Sequence, residues 1–179
     1  RVVYADKKEM KEIRSQYGLV FQNFNLFPHY SVLKNIVDAP IHVQKRDKDQ
    51  VIREARELLK KMGLEDKENA YPCQLSGGQC QRAAIARALM NDPRILIFDE
   101  ATSALDVTVQ KQIIELLQQL QKERKLAYLF ICHNIALVQQ FCDRVIVLHD
   151  GRIVESGLPD EVILHPQSDY TRRLVDAVF

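Results

Sequence analysis

The sequence has 179 residues, 46% hydrophobic and 27% charged, which is enough for one domain with a buried core. The 25 basic and 24 acidic residues nearly cancel, which argues against a nucleic-acid partner. No apolar run approaches the roughly 20 residues that span a bilayer, and the charged first residues do not resemble a signal peptide. We therefore expect a cytosolic chain without a nucleic-acid function.

The first part of the chain predicts one strand followed by two helices. Residues 17–21 (YGLVF) form a short apolar run typical of a buried strand, which places Gln22 at its end. The aromatic and asparagine-rich stretch after Gln22 predicts a loop that leads into a helix from about Ser31. Asp47 is a suitable N-cap for an amphipathic helix that ends near Gly63.

The middle of the chain alternates helices and strands. Ser76, with Gln79 three positions later, predicts the start of a helix. Residues 95–98 form a continuous apolar run, which is typical of a parallel strand covered on both faces. A helix over residues 107–123 and a strand over 128–132 complete a βαβ unit.

The last part predicts a helix near residues 135–141 and a hairpin whose strands, 145–149 and 152–155, are joined by a type I′ turn at Asp150. The predicted fold class is α/β, with a mainly parallel sheet and a helical insertion. The expected boundaries are a helical subdomain at 28–90, an α/β portion at 1–27 and 91–158, and a helical tail at 159–179.

Two adjacent carboxylates, Asp99 and Glu100, stand at the carboxyl end of a predicted strand, where open α/β sheets bind ligands. An aspartate there can hold Mg²⁺, and its neighbour can polarise a water molecule. Because side chains alternate along an extended chain, the two carboxylates are expected to point to opposite sides. A pair of solvated acids at a strand end is the alternative.

The segment Ser76-Gly77-Gly78 combines a hydroxyl, unhindered backbone N–H groups and a helix N-terminus, which suits a phosphate. An ordinary helix cap is the alternative. Glycines in a first turn weaken a helix by roughly 1 kcal/mol relative to alanine, so two of them favour ligand contact. Gln22 and His133 follow predicted parallel strands and are expected at the same sheet edge as Asp99.

Together these residues resemble the nucleotide-binding subunit of an ATP-binding-cassette (ABC) transporter, and the resemblance covers the whole chain. Residues 75–79 (LSGGQ) match the family signature, 95–100 (ILIFDE) the Walker B strand, and 103–106 (SALD) the D-loop. Gln22 matches the Q-loop and His133 the H-loop, in the family's order.

The resemblance implies a role for each of these residues, with ATP and Mg²⁺ as cofactors. It implies that Asp99 orders Mg²⁺, Glu100 activates water, and His133 contacts the γ-phosphate. It also implies that Gln22 senses Mg²⁺ and water while its loop meets the membrane partner. The signature residues would cap an ATP held by the opposite protomer, and the D-loop would cross the dimer interface; these residues are Ser76, Gly77, Gly78, Gln79 and Asp106. The implied partners are a second cassette, transmembrane permease subunits and, indirectly, a solute-binding protein, on the inner face of the cell membrane.

One family motif is missing from the sequence. None of the six glycines is followed by lysine, so Gly-x-x-x-x-Gly-Lys-[Ser/Thr] is absent, and only 21 residues precede Gln22. We interpret this as an amino-terminal truncation that removes the first strands and the P-loop. The 179 residues alone are then expected to bind ATP weakly.

The importer type is left open by the sequence. FNLFPH after Gln22 resembles polar-amino-acid importers. Oligopeptide, dipeptide or nickel importers are resembled by SALDVTVQKQI, by HNIALVQQFCDRVIVLHDGRIVESG and by the tail, which together cover more residues. Two alternatives to an importer are an ABC ATPase without a membrane partner and a non-catalytic remnant. The first would carry coiled-coil insertions or a second cassette, and neither is present in this sequence.

Overall fold

The computed structural model describes residues 6–101 and 105–177. They divide into two compact units, Arg1–Ile131 and Cys132–Phe179, which are described separately. Thr102, Ser103 and Ala104, which include half of the SALD segment, lie outside the described residues.

The first unit contains five helices and a three-stranded sheet among its described residues. In chain order these elements are α1 (Lys7–Ser15), β1 (Tyr17–Phe21), α2 (Val32–His42), α3 (Lys48–Lys61), α4 (Gly77–Leu89), β2 (Ile95–Asp99), α5 (Val107–Arg124) and β3 (Ala127–Ile131). Short 3₁₀ turns at Glu65–Lys67 and Pro72–Gln74 lie between α3 and α4. The order of helices and strands agrees with the sequence prediction from β1 onward.

Helix α1 was not predicted from the sequence. Its start is fixed by a reciprocal pair of hydrogen bonds: the Glu9 N–H donates to Asp6 Oδ1, and the Asp6 N–H donates to Glu9 Oε2, both at 2.8 Å. An acidic residue three positions after an aspartate is the sequence signal for this capping arrangement. Helix α1 lacks the long apolar periodicity by which the other helices were recognised.

The predicted N-cap at Asp47 and the expected helix start near Ser31 are confirmed. Ser31 accepts a hydrogen bond from the Lys34 N–H at 3.2 Å, and Asp47 accepts one from the Gln50 N–H at 2.8 Å. Each cap satisfies a backbone donor that has no partner within its own helix. Short polar side chains in the sequence therefore decided where α2 and α3 begin.

The sheet is parallel and has the order β1-β2-β3. Its register pairs Phe21 with Asp99 and Asp99 with Ile131, so all three strands end at one edge. The predicted unit of strand, helix and strand over β2, α5 and β3 is confirmed as a parallel pair.

One face of the sheet forms the core of this unit. Val20, Leu96 and Phe98 are buried on it, together with residues of α4 and α5. The Phe98 ring stacks on the Phe130 ring with centroids 4.5 Å apart. Tyr128 donates a hydrogen bond from its hydroxyl to the Leu117 carbonyl at 2.8 Å, and burial raises the pKa of this phenol.

The expectation that β2 is covered on both faces is wrong for the described residues. Ile95 is 40% exposed, and on the same face Leu129 is 49% exposed, whereas Leu96 and Phe98 on the other face are buried. A continuous apolar run cannot distinguish the two faces of a strand, because both faces carry the same residue types. Helices α4 and α5 pack against one face only.

The second unit contains α6 (Ile135–Phe141), β4 (Val145–His149), β5 (Arg152–Gly157), α7 (Pro159–Leu164) and α8 (Asp169–Asp176). Strands β4 and β5 pair in an antiparallel hairpin. Asp150 and Gly151 have φ values of 48° and 72°, and a type I′ turn requires positive φ at both central positions. Among the described residues of both units, no helix is long and apolar enough to cross a membrane.

Gly18 sits where α4 approaches β1 so closely that a side chain has no room. A Cβ atom at Gly18 would lie 2.8 Å from Leu96 Cδ2 and 3.1 Å from Ala88 Cβ.

We predict that Gly18→Ala lowers the free energy of unfolding by about 1–3 kcal/mol, because crowding in a packed core forces neighbours to shift. Urea unfolding of the full-length polypeptide measures this. Gly77→Ala is the control, since a Cβ there meets only Leu105 Cδ2 at an ordinary 3.4 Å; equal stability of both variants would contradict the prediction.

Candidate functional site

The carboxyl edge of the sheet carries Asp99 and Gln22, as the sequence predicted. Asp99 is the last residue of β2, is exposed, and is paired in register with Phe21 on one side and Ile131 on the other. Gln22 follows Phe21 directly and is also exposed. Parallel pairing therefore brings these two polar side chains to one edge, where α/β sheets bind ligands.

Glu100 follows Asp99 in a left-handed backbone conformation, with φ of 48°. The Glu100 N–H still donates to the Ile131 carbonyl at 2.9 Å, so the residue is held against β3. The expected alternation of Asp99 and Glu100 does not apply, because the extended backbone ends at Asp99. A left-handed non-glycine residue costs about 1–2 kcal/mol, and such conformations cluster at functional sites.

His133 belongs to the second unit and is exposed. It lies two positions after Ile131, and the next residue, Asn134, is the N-cap of α6 and accepts a hydrogen bond from the Leu137 N–H at 3.1 Å. Local helix capping thus fixes the backbone next to His133.

The signature turn, defined as residues 75–79, starts α4 with two reciprocal hydrogen bonds. The Gln79 N–H donates to Ser76 Oγ at 3.3 Å, and the Ser76 N–H donates to Gln79 Oε1 at 2.9 Å. This capping box satisfies two backbone donors and fixes the direction of the helix N-terminus. Ser76 and Gly77 are exposed, so the positive end of the helix is open to a ligand.

The two signature glycines have different surroundings. A Cβ at Gly78 would lie 2.6 Å from Val109 Cγ1, whereas a Cβ at Gly77 would meet only Leu105 Cδ2 at 3.4 Å. Glycine at position 78 is therefore required by the packing of α4 against α5, and the sequence argument that both glycines indicate a ligand holds only for Gly77. Packing gives no reason for glycine at position 77.

Asp106 is the N-cap of α5 and accepts a hydrogen bond from the Val109 N–H at 2.9 Å. Because Leu105 and Val109 lie against Gly77 and Gly78, the described end of the SALD segment is next to the signature turn of the same chain. Asp106 is exposed and has a second carboxylate oxygen for a further partner.

Sequence reasoning missed Arg87, which lies on α4 beyond the signature turn. Its Nη1 donates to the Asn25 carbonyl at 2.7 Å and its Nη2 to the Phe24 carbonyl at 3.0 Å. Charged hydrogen bonds stabilise by about 1.5–3 kcal/mol each, which offsets the cost of left-handed backbone at Phe24 and Asn25. An arginine inside an otherwise apolar run, AAIARAL, is the signal that could have revealed it.

Gln81, also on α4, was missed as well. It is fully buried, and within the described residues neither its Oε1 nor its Nε2 has a hydrogen-bond partner. An unpaired buried amide costs about 1–3 kcal/mol, so this position is not explained by stability of the described structure. A glutamine in a capping-box helix gave no sequence signal for burial.

The residues present fit Mg²⁺ and a terminal phosphate. In residues 6–101 and 105–177, no group of three or more His, Cys, Asp or Glu side chains could hold a metal ion by itself. Mg²⁺ bound with a nucleotide needs only one or two carboxylates, because phosphate oxygens and water complete its shell. Asp99 offers one such carboxylate, and the N–H groups near Ser76 and Gly77 suit a phosphate.

Comparisons with known proteins identify relatives of this chain. Residues 2–103 match the sequence profile of the ABC transporter family. The chain is 43% identical over 172 residues to the histidine transport ATP-binding protein HisP of Pseudomonas aeruginosa, covering 96% of the chain and 67% of that protein. It is 40% identical over 176 residues to the L-cystine transport system ATP-binding protein TcyN of Escherichia coli, covering 98% and 70%. It is also 44% identical over 169 residues to the methionine import ATP-binding protein MetN of Lactobacillus johnsonii, covering 94% and 48%.

The fold is also found in a solved structure. CbiO1 from Clostridium perfringens, described as part of the ABC transporter complex CbiONQ, superposes with a TM-score of 0.81 at 32% identity, covering 89% of this chain. The chain spans 64% of the length of that protein. The chain therefore belongs to the ABC transporter family and is an ATP-binding domain with the family's α/β cassette fold.

Proposed function

We propose that the full-length polypeptide is the ATP-binding and ATP-hydrolysing subunit of an ABC importer. The observation that supports this best is the edge of the sheet, where Asp99 ends β2 and Glu100 follows in a left-handed conformation. Family membership supports it independently. The domain boundaries expected from the sequence are retained as part of this proposal.

Each of the residues expected from the sequence has a distinct task in this proposal. Asp99 and Gln22 hold Mg²⁺, which neutralises phosphate charge when bound. Glu100 accepts a proton from the attacking water, because its carboxylate is fixed beside the metal-binding residue. His133 donates a hydrogen bond to the γ-phosphate. Positioning and charge neutralisation are the main requirements of phosphoryl transfer.

The signature turn serves a second copy of the cassette. Ser76, Gly77, Gly78 and Gln79 form the N-terminal turn of α4, and its exposed residues, Ser76 and Gly77, suit the γ-phosphate of an ATP held by the opposite protomer. Asp106, next to this turn, completes the contact between protomers. Permease subunits, and through them a solute-binding protein, are the further partners, so the subunit works on the cytoplasmic face of the cell membrane.

Amino acids are the substrate class that the comparisons favour. The relatives' names specify histidine, L-cystine and methionine. The aromatic segment FNLFPH after Gln22 resembles polar-amino-acid importers in the same way. The oligopeptide-like features of residues 103–113 and of the tail lie elsewhere in the chain. We therefore propose import of amino acids.

Glu100→Gln tests the role of the catalytic base. The amide keeps the size of the side chain but cannot accept the proton, so ATP binding should persist while turnover falls by about a hundredfold or more, and the ATP-bound dimer should accumulate. Phosphate release and size-exclusion chromatography of the full-length polypeptide measure both effects. Glu115→Gln, an exposed residue on α5, is the matched control. Undiminished turnover of the Glu100 variant would rule out this role.

Substitution of the two signature glycines separates packing from ligand contact. Gly77→Ala should leave the free energy of unfolding nearly unchanged yet weaken ATP-dependent dimerisation on the order of tenfold. The reason is that the added methyl group would crowd the bound phosphate but not the packing of α4. Gly78→Ala should destabilise the fold, and Val109→Ala in the same chain should restore stability by removing the clash. Urea unfolding and sedimentation measure these effects. Wild-type dimerisation of the Gly77 variant would contradict the proposed contact.

Ser76→Arg tests whether the signature turn acts on a second copy. The long cation should block dimer closure while ATP binding to the monomer stays intact, because the monomer's nucleotide is held elsewhere. Ser31→Arg is the control, since it removes an N-cap from α2 without touching the signature turn. Sedimentation with and without ATP measures closure. Equal ATP-dependent dimerisation of the Ser76 variant and the wild type would count against this role.

A further inference from the structure

The loop after β1, defined as residues 22–30, is fastened by two different helices. Its second half is held by Asn35 of α2, which is 2% exposed. Asn35 Oδ1 accepts from the Phe27 N–H at 2.8 Å, and its Nδ2 contacts the Phe27 and Tyr30 carbonyls at 3.1 and 3.2 Å. This half of the loop is therefore fixed by α2, the helix that directly follows it in the sequence.

The first half is held by Arg87, more than 60 positions away on α4. The guanidinium reaches two consecutive carbonyls, those of Phe24 and Asn25, and both residues have left-handed backbones with φ of 60° and 47°. Arginine suits this geometry because its planar fork carries several donors in fixed directions. Arg87 Cζ also lies 6.0 Å from the centroid of the Phe27 ring.

Arg87 is partly buried, and burial lowers the pKa of its guanidinium, which nevertheless stays charged. Across the described part of the chain, it forms no ion pair with a carboxylate. Its polar contacts there are therefore to the loop's carbonyls. These two hydrogen bonds join α4 to a segment more than 60 positions away in the sequence.

Helix α4 carries Arg87 near one end and the signature turn at the other. The loop, in turn, exposes apolar and aromatic surface: Phe27 is 48% exposed, and Pro28 and His29 are exposed. We propose that Arg87 is a positioning residue that fixes this loop to the signature helix, so that movement of the helix on ATP-dependent closure is transmitted to the loop. The transmission of movement from the helix to the loop rests on the proposed function, whereas the attachment of the loop to the helix by Arg87 does not.

Hydrogen exchange of the full-length polypeptide tests the attachment. The Phe24 and Asn25 amides donate to the Phe21 and Asn23 carbonyls at 3.0 and 2.6 Å, so they report the loop's conformation. In Arg87→Ala these amides should exchange on the order of tenfold faster. Arg87→Lys should give a smaller increase, because it retains the charge but not the fork. Arg53→Ala, an exposed arginine on α3, is the control and should match the wild type.

Two results would overturn the attachment. Unchanged exchange at Phe24 and Asn25 in Arg87→Ala would show that other contacts hold the loop. Faster exchange spread over α4 and the three-stranded sheet would show that Arg87 maintains the fold instead. The Phe27 amide, held by Asn35, provides an internal reference that should change least.

Transmission is tested in vesicles that contain the full-length subunit with its permease. Arg87→Ala should reduce amino-acid transport per ATP hydrolysed about tenfold, with the KM for ATP within about twofold of the control. Equal transport per ATP in Arg87→Ala and Arg53→Ala would overturn transmission. Absence of hydrolysis in the wild type would instead contradict the proposed function, and the exchange experiment would still decide the attachment.

Discussion

The close packing of α4 is the constraint on which the first unit depends. At Gly18 this helix meets β1, where an added Cβ atom would lie 3.1 Å from Ala88 Cβ, and at Gly78 it meets α5, where an added Cβ would lie 2.6 Å from Val109 Cγ1. Packed interiors transmit displacement because side chains cannot be compressed. The helix that starts at the signature turn is thereby linked to the strand that leads to Gln22 and to the helix that follows Asp106. The candidate site and the core are therefore parts of one packing arrangement.

The same helix also reaches the loop after β1 through hydrogen bonds. Arg87 binds the Phe24 and Asn25 carbonyls, while Asn35 holds the other end of the loop. Hydrogen bonds of this kind can maintain left-handed backbone that the chain would otherwise avoid. The loop is consequently ordered by tertiary contacts, and its exposed aromatic residues are presented on a defined backbone.

At the edge of the sheet, a left-handed backbone conformation occurs beside two adjacent carboxylates. Asp99 is the last extended residue of β2, and Glu100 turns into the left-handed region while its N–H remains bonded to β3. Both carboxylates are thus placed by backbone geometry, and parallel register adds Gln22 beside them. An arrangement of this kind suits magnesium and water-mediated phosphoryl transfer, because it fixes oxygen ligands without enclosing the metal.

The sequence by itself determined the order of elements from β1 onward, the caps at Asp47 and Ser76, the start of α2 near Ser31, and the edge on which Gln22 and Asp99 meet. Local hydrogen bonding and hydrophobic periodicity decide these features, because both depend on neighbouring residues. Only the tertiary structure decided which face of β2 is covered, since both faces carry apolar residues. It also decided that Gly78 is glycine because of Val109, whereas Gly77 has no such reason. Arg87 and Gln81 likewise acquire their surroundings from segments distant in the chain, and no local pattern records what a folded chain places next to a side chain.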